Sequence, residues 1–295
     1  MYMDNKINTD NATNTIVNDS QKRIDLHVHS DASDGTLSPE SLVKYAYQAG
    51  LSAFALTDHD TVMGIPAAMS TGLPIKVIPG IELSAGYKNR DIHILGLFID
   101  YKSKLLTEIS QNALTERNQR NQKMINNLRN AGIPITMEDI YSHSEKNGAI
   151  TRAHFARFLV DHGYAVDKND AFAKYLSEDT PYYVKREYLT PEQCIQIIHE
   201  CGGYSVLAHP VLYNLPENEL DCLVCRLKKA GLNAIEAIYS TYTADDEAYV
   251  RSLADKYDLL ISGGSDFHGS NKPDIDIGCG RGNLLIPYEL LNQFI

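Results

Sequence analysis

The chain has no tryptophan, few cysteines and no long apolar run. Its five cysteines are odd in number and form no disulfide-like framework, which excludes a disulfide scaffold and suits a reducing compartment. No apolar run reaches the roughly 18 residues that a membrane-spanning helix needs, so we expect no membrane partner. Residues 1–20 lack the basic start and apolar core of a signal peptide. We interpret them as a disordered leader of a cytoplasmic protein.

Positive charge is also in short supply. The 27 Lys and Arg residues face 38 Asp and Glu residues, for a formal net charge of -11 at pH 7. A chain with this balance repels long polyanions, so we expect no duplex nucleic acid as a partner. With 295 residues, 43% of them hydrophobic, the chain is long enough to bury a full core.

Two of the cysteines, Cys222 and Cys225, form a CxxC within an apolar helical pattern at 220–227. There is no second CxxC to complete a zinc ribbon. We predict two ordinary buried cysteines on a helix and leave a zinc ribbon or a redox motif as alternatives.

Short apolar runs alternate with helix-like stretches along most of the chain. Such alternation predicts parallel βα units, arranged as a barrel or as an open sheet. The middle of the chain breaks this pattern with a long polar helix at 105–130 and shorter helices after it. We therefore predict a helical insertion at 101–188, which separates two barrel segments at 21–100 and 189–295. The predicted strands are 23–29, 51–57, 75–83, 91–98, 204–208, 233–238 and 259–262. The other predicted helices are 38–50, 191–201, 217–230 and 244–257.

The first predicted strand carries two histidines, His27 and His29, with Asp34 shortly after them. Because side chains alternate along a strand, both imidazoles share one face. The apolar residues Ile24, Leu26 and Val28 would share the other face, against the outer helices. Two such histidines are half of a metal site or, as an alternative, a hydrogen-bonded pair in the core.

Comparable polar residues lie within or just after the other strands. Each has an alternative explanation, such as a turn or a satisfied core histidine. Together, six histidines and three carboxylates lie within or just after the predicted strands, and packing alone does not explain so many polar residues in these positions. Because zinc, iron and manganese bind imidazole and carboxylate groups, the set indicates two or three divalent ions. The residues after the first strand are Asp58 and His59 in TDHDT, Glu82 in PGIEL, His93 in IHILG, His209 in AHP, and Asp266 and His268 in GSDFHG.

The order of these motifs resembles the PHP (polymerase and histidinol phosphatase) superfamily of metal-dependent phosphoesterases, over about residues 22–290. This resemblance implies an α/β fold, a distorted (β/α)7 barrel with an inserted helical subdomain. The TRAHFAR run at 151–157 is similar to the small stand-alone members of the superfamily. Those members act on nucleoside 3′,5′-bisphosphates or on the 5′ ends of short RNA.

The resemblance also implies a trinuclear site of manganese, iron or zinc. One ion would be held by His27, His29, Glu82 and Asp266. A second would share Glu82 and take His93 and His209, and a third would take Asp34, His59 and His268. Asp58 matches a motif position, and we expect it to orient a histidine.

A metal-bound hydroxide would then attack the phosphorus, with His209 or His268 protonating the leaving oxygen if either is free of metal. We predict Arg117 and Arg152 as substrate anchors, with Arg120 behind them, because guanidinium groups bind phosphate in a bidentate manner. His154 would contact the substrate or play a structural role. The alternatives are a histidinol-phosphate phosphatase, a non-catalytic metal-binding module, and a hydrolase of C–N bonds with a carboxylated lysine.

Overall fold

Seven strands form the centre of the protein. The computed structural model describes residues 22–88, 90–142, 150–185 and 189–294, so the predicted leader at 1–20 lies outside the described residues. Within these ranges, every helix is too short or too polar to cross a membrane. The strands are β1 Arg23–Val28, β2 Leu51–Leu56, β3 Lys76–Tyr87, β4 Arg90–Leu97, β5 Tyr204–Leu207, β6 Ala234–Tyr239 and β7 Leu260–Gly264. The helices are α1 Pro39–Gln48, α2 Ile65–Met69, α3 Lys104–Asn130, α4 Met137–Ser142, α5 Arg152–Asp161, α6 Lys168–Ala171, α7 Pro191–Glu200, α8 Glu217–Lys229 and α9 Ala244–Tyr257.

The sheet closes almost completely on itself. Its strands hydrogen-bond in sequence order from β1 to β7. A parallel bridge between Val28 and Phe267 brings the chain after β7 back beside β1, and the amide of Asp266 donates to the carbonyl of His27. The predicted distorted (β/α)7 barrel with mixed α/β content is therefore confirmed.

The prediction of parallel βα units is wrong for β4, which runs antiparallel to both β3 and β5. β3 ends at Tyr87 and β4 begins at Arg90, so two residues connect them. A parallel connection needs about a dozen residues or more, whereas two residues suffice for a hairpin. Lys88 has a left-handed backbone, with φ of 54°, as two-residue hairpin turns require.

Two apolar layers pack against the two faces of the barrel wall. Phe54 and Leu56 of β2 join helix side chains in the first layer, while Ala53 and Ala55 join other strand residues and the C-terminal segment in the second. The prediction that Ile24, Leu26 and Val28 share the helix-covered face is wrong. Val28 lies in the first layer, but Ile24 and Leu26 lie in the second, because the register of β1 shifts between Asp25 and Val28.

Helices α3 to α6 stand apart from the βα repeat and have an apolar cluster of their own. Met124 and Leu128 of α3 pack there with Phe155 and Leu159 of α5. The cluster explains how this part of the chain buries its apolar side chains without a strand. The division into a barrel at 21–100 and 189–295 and an insertion at 101–188 stays a prediction.

The two cysteines of the CxxC lie on α8. Cys222 is exposed and Cys225 is half-buried, so the prediction of a buried pair is wrong for Cys222. The buried stripe of this helix consists of Leu220, Leu223, Val224 and Leu227. Positions 222 and 225 are turned away from that stripe by the helical period.

Candidate metal centre

The strands deliver polar side chains to one end of the barrel. Parallel strands with their C-terminal ends on the same side place such residues together, as in other barrel enzymes. The antiparallel β4 contributes a residue from its middle, His93. The structure brings together all nine side chains predicted as metal ligands: His27, His29, Asp34, His59, Glu82, His93, His209, Asp266 and His268.

Glu82 lies at the centre of this group and is almost fully buried. Its Oε1 is 2.9 Å from Nδ1 of His93 and 3.2 Å from Nε2 of His209. Its Oε2 is 2.9 Å from Nδ1 of His59 and 3.2 Å from Nε2 of His29. Each carboxylate oxygen thus faces imidazoles from different strands, which is the arrangement expected of a carboxylate shared between ions.

Two aspartates flank Glu82. Asp266 Oδ1 lies 3.4 Å from Nε2 of His29 and 3.6 Å from Nε2 of His27. Asp34 Oδ1 lies 3.2 Å from Nε2 of His268. Both aspartates are at least nine-tenths buried. Because water does not solvate their charges, these carboxylates require cationic partners.

The unsatisfied atoms of the cluster fit metal ions. A buried polar atom without a partner is rare in folded proteins unless water, an ion or a ligand binds it. Imidazole nitrogens and carboxylate oxygens are the ligands that zinc, iron and manganese accept. The donor set therefore fits divalent transition-metal ions. The cluster atoms that make no hydrogen bond within the described part of the chain are Asp34 Oδ1, His59 Nδ1, Glu82 Oε2, His93 Nδ1 and His209 Nδ1.

The donor atoms fall into four overlapping groups, each with its atoms within 4.8 Å of one another. His59 belongs to two groups, and His209 lies with His27 and Asp266 while its Nε2 also faces Glu82 Oε1 beside His93. The division of these side chains among three ions stays a prediction. The groups are His29, Asp34, His59 and His268; His27, His29 and Glu82; His27, His209 and Asp266; and His59, Glu82 and His93.

Proton equilibria in the cluster reflect burial and charge. Burial alone would raise the pKa of Glu82, but the charges of His59 and His93 outweigh it and hold the pKa well below its usual range. Burial lowers the pKa of His29, but its contacts with Asp266 and Glu82 prevail and raise it to about 9. The carboxylates are thus ionised at neutral pH, as metal ligands must be.

Residues around the cluster hold its members in place. Glu236 of β6, which the sequence analysis missed, lies with Oε1 3.0 Å from Nδ1 of His27 and accepts a hydrogen bond from the backbone N–H of His209. Tyr239 Oη and Lys272 Nζ both donate to Oδ2 of Asp266, at 2.6 and 2.5 Å. Such partners fix which atom of a ligand faces an ion.

Glu236 carried a sequence signal that could have revealed it. It stands in the middle of a predicted apolar strand, and a carboxylate there must be paired, ligated or solvated. The same argument singled out Glu82 but was not applied to β6. All six residues of β6 are buried.

Within the described residues, Asp58 makes no direct hydrogen bond with a histidine. It accepts hydrogen bonds from the backbone and hydroxyl of Ser30 and from the hydroxyl of Ser33. Ser33 Oγ in turn lies 3.5 Å from Nδ1 of His29. Asp58 therefore braces the loop after β1 and reaches His29 only through Ser33. A catalytic role for Asp58 stays a prediction.

A cavity of about 180 Å³ opens beside the cluster. Asp34, His59 and His93 lie on its wall, and so do Arg117, Arg120 and Arg152, which come from α3 and α5. Arg117 donates to Asp60 at 2.5 Å and Arg152 to Asp91 at 2.7 Å. The guanidinium of Arg152 also lies against the ring of Phe172, 5.8 Å from its centroid. These pairs hold Arg117 and Arg152 in position at the cavity.

His154 occupies the first turn of α5. Its Nδ1 accepts the backbone N–H of Thr151, while the hydroxyl of Thr151 accepts the N–H of Ala153, so the pair caps the helix. The side chain is buried. This is the structural role that the sequence analysis kept open, and a substrate contact for His154 stays a prediction.

The chain is similar to proteins of known activity. It is 40% identical over 248 residues to the 5′-3′ exoribonuclease Rnm of Escherichia coli K12, covering 83% of this chain and 84% of the relative. It is 33% identical over 259 residues to the 3′,5′-nucleoside bisphosphate phosphatase of Chromobacterium violaceum, covering 86% and 90%. A solved structure described as an amidohydrolase from Chromobacterium violaceum, with bound sulfate and no metal, has a TM-score of 0.82 at 31% identity, covering 92% and 97%.

The barrel, its histidine and carboxylate cluster and these relatives define a metal-dependent phosphoesterase. The chain belongs to the PHP domain family, whose model matches residues 25–179.

Proposed function

We propose that the protein hydrolyses a phosphate ester of a nucleotide, either a nucleoside 3′,5′-bisphosphate or the 5′ end of a short RNA, with two or three ions of manganese, iron or zinc. The observation that carries this proposal is the juxtaposition of the metal-type cluster with three arginines on the wall of one cavity. A substrate with one phosphate at the cluster and another at the arginines matches both halves of the cavity.

The charges of this cavity favour such a substrate over a simple phosphate monoester. Arg117, Arg120 and Arg152 would bind the phosphate that does not react, because guanidinium groups match its geometry. Phe172 lies on the wall of the same cavity, and an aromatic ring is a group on which a nucleobase can stack. We infer that a duplex does not bind, given the net charge of -11, and that the protein works in the cytoplasm, where its free cysteines stay reduced.

Divalent ions in this site would lower the pKa of water and neutralise charge on the phosphate oxygens. The chain's own residues prepare the site for them. Glu236 orients His27, and Tyr239 with Lys272 turns Oδ1 of Asp266 toward the imidazoles. Burial lowers the pKa of His268 to about 4, so its imidazole is neutral near pH 7. A neutral imidazole suits a ligand better than a general acid, which favours the ligand role for His268.

A comparison of three substrates tests the proposal. We expect the manganese-supplemented protein to release phosphate from adenosine 3′,5′-bisphosphate or mononucleotides from a short 5′-phosphorylated RNA, and to leave histidinol phosphate intact. Asp266→Ala should abolish turnover, because Asp266 lies among the imidazoles. The matched control is Asp245→Ala on the exposed first turn of α9, which should retain activity.

The alternatives make different predictions in the same assay. Turnover of histidinol phosphate alone would replace the proposed substrate class. Bound metal without turnover of any of the three substrates would favour a non-catalytic module. Hydrolases of C–N bonds on similar barrels usually carry a carboxylated lysine at the bridging position, whereas here Glu82 lies among five imidazoles.

A further inference from the structure

Tyr213 occupies a place in the barrel wall that a backbone hydrogen bond would ordinarily fill. It ends a short 3₁₀ turn, Pro210–Tyr213, which directly follows the clustered histidine His209. The residue is only 5% exposed. Its Oη accepts the backbone N–H of His93 at 3.0 Å and donates to the carbonyl of Ala208 at 2.5 Å. The hydroxyl therefore joins β4 to the segment that follows β5.

The pairing of β4 with β5 shows what this hydroxyl replaces. Ile94 pairs with Leu207 in the antiparallel ladder, so the next pair along is His93 with Ala208. The N–H of Ala208 donates directly to the carbonyl of His93 at 3.1 Å. In a regular ladder, residues paired in this way exchange two hydrogen bonds. The second bond runs through Tyr213 instead, and its oxygen atom holds the donor and the acceptor apart.

This bridge adjoins two histidines that converge on one carboxylate oxygen. His93 is itself part of the bridge, and His209 directly follows Ala208. Nδ1 of His93 lies 2.9 Å and Nε2 of His209 lies 3.2 Å from Oε1 of Glu82. The two imidazole planes are 79° apart, and their centroids are separated by 5.2 Å. A change in the spacing of the two backbone segments would therefore move both imidazoles relative to Glu82.

The backbone of His209 also needs support from its surroundings. Its φ is 29°, a left-handed value that residues other than glycine rarely adopt and that persists where the surrounding structure imposes it. On one side of His209, Tyr213 holds the carbonyl of Ala208. On the other side, the guanidinium of Arg90 donates to the carbonyl of Tyr213 at 2.6 Å. Residues of β4 thus fix the turn that presents His209.

Resting on the proposed function, we propose that Tyr213 is a positioning residue whose hydroxyl sets the spacing of His93 and His209, so that both imidazoles face one ion. That ion would lie beside Oε1 of Glu82. Tyr213 acts through the backbone of β4 and of the turn after β5. Without its oxygen, the N–H of His93 and the carbonyl of Ala208 either bond directly or lose their partner, and both changes alter the spacing.

A count of bound ions in Tyr213→Phe tests this role. The variant keeps the ring and removes only the bridging oxygen. We expect it to retain one manganese ion fewer than the wild-type protein at a fixed chelator concentration, because groups that orient metal ligands contribute about 10–100-fold to metal affinity. Elemental analysis after chelator competition and gel filtration measures the number of ions per chain.

Tyr242→Phe is a matched control in the same part of the wall. The hydroxyl of Tyr242 accepts the backbone N–H of Val211 at 3.2 Å, and the residue is 8% exposed. The variant loses a buried hydroxyl that supports the turn at Val211 rather than at the strand pair. We expect both variants to lose stability in urea unfolding, but Tyr242→Phe to retain the wild-type number of ions.

Combined variants identify the ion that depends on Tyr213. If the hydroxyl acts through His93, Tyr213→Phe together with His93→Ala should lose the same single ion as His93→Ala alone. Asp34 lies with His268 in another group of the cluster. Tyr213→Phe together with Asp34→Ala should therefore lose one ion more than Asp34→Ala alone.

The outcomes separate this proposal from the proposed function. The wild-type number of ions in Tyr213→Phe would overturn the positioning role. An equal loss of ions in Tyr213→Phe and Tyr242→Phe would also overturn it, because general loosening of the turn would then explain the result. The loss of a further ion on combination with His93→Ala would do the same. Failure of the metal-loaded wild-type protein to hydrolyse either nucleotide substrate would refute the proposed function, whereas the ion counts test Tyr213 without turnover.

Discussion

At the scale of single residues, buried carboxylates organise the site. Glu82 and Glu236 both lie in strands whose other side chains are largely apolar, and both face His27. Glu82 also faces four other imidazoles, whereas Glu236 faces the outer nitrogen of His27 and a backbone N–H. We therefore place Glu82 among the ligands and treat Glu236 as a positioning residue that turns Nε2 of His27 inward.

Replacing Glu236 by glutamine tests this positioning role. Glu236→Gln keeps the size of the side chain but removes the charge that polarises His27, so we expect metal affinity to fall about 10–100-fold. Chelator competition followed by elemental analysis measures the change. Glu108→Gln, on the exposed surface of α3, is the matched control. Unchanged metal affinity in Glu236→Gln would refute the positioning role.

At the scale of secondary-structure elements, the closure of the barrel depends on the contact between β1 and β7. Gly264 of β7 lies directly against His27 of β1. A Cβ atom at position 264 would be 2.2 Å from Cβ and 2.7 Å from the backbone nitrogen of His27. Because part of this contact is backbone, β1 itself would have to move, and His27 would move with it.

We therefore expect Gly264→Ala to reduce both stability and metal binding. Overpacking of this kind costs about 1–3 kcal/mol, which urea unfolding of the metal-free protein measures. The control is Gly72→Ala, where φ is +68° but a Cβ meets no atom within 4 Å, and a cost of about 1–2 kcal/mol is expected from the left-handed backbone without any change in metal affinity. Equal metal affinity in both variants would mean that β7 does not position His27.

Local patterns predicted most elements because each depends on neighbours in sequence. The helix starts at Ser38 and Thr190 were readable from their capping residues, and the strand-end motifs identified the nine clustered side chains. The direction of β4 was missed, since alternation of apolar residues carries no direction. The short link at 88–89 held that information and was not used.

Contacts between distant residues could not be predicted in this way. Arg117 was predicted to bind substrate, but its pairing with Asp60, 57 residues away, depends on how α3 lies across the barrel. The faces of Ile24 and Leu26 were assigned wrongly because a register shift in β1 depends on its partner β2. Glu236 was missed because its partner His27 is 209 residues away.

At the scale of the whole molecule, helices α3 to α6 and the barrel strands meet at the cluster. Lys168 of α6 donates to the carbonyl of Asn271 at 2.5 Å, and the side-chain amide of Asn271 donates to the carbonyl of Asp34 at 2.8 Å. Arg117 and Arg120 approach from α3, and Arg152 approaches from α5. Ions in the cluster would therefore stabilise contacts from both parts of the chain.

Protonation of the cluster makes two quantities change in opposite directions with pH. As the pH rises above 6.5, the stability of the metal-free protein falls, whereas the stabilisation given by bound metal grows. In the metal-free protein, the pKa of His29 is raised to about 9 from an ordinary value of 6.5. The stabilisation that protonated His29 gives the folded state is thus complete below about pH 6.5, and it is lost as the pH rises toward 9. The pKa values of Glu82 and Asp34 are lowered, with burial opposed by charges on His59 and His268 among others. Their stabilisation is lost as the pH falls below about 4.

We expect the melting temperature in excess chelator to fall between pH 6.5 and 8.5, and the increase in melting temperature on adding manganese to grow over the same range. Manganese must displace the proton of His29, so its apparent affinity rises by up to about tenfold per pH unit for each displaced proton, and bound metal stabilises the folded state by mass action. Thermal unfolding at fixed metal concentration measures both trends, with His162→Gln in α5's C-terminal cap as a control outside the cluster. A manganese effect that is constant from pH 6.5 to 8.5 would mean that His29 carries no proton for the metal to displace in this range, and would refute the raised pKa of His29.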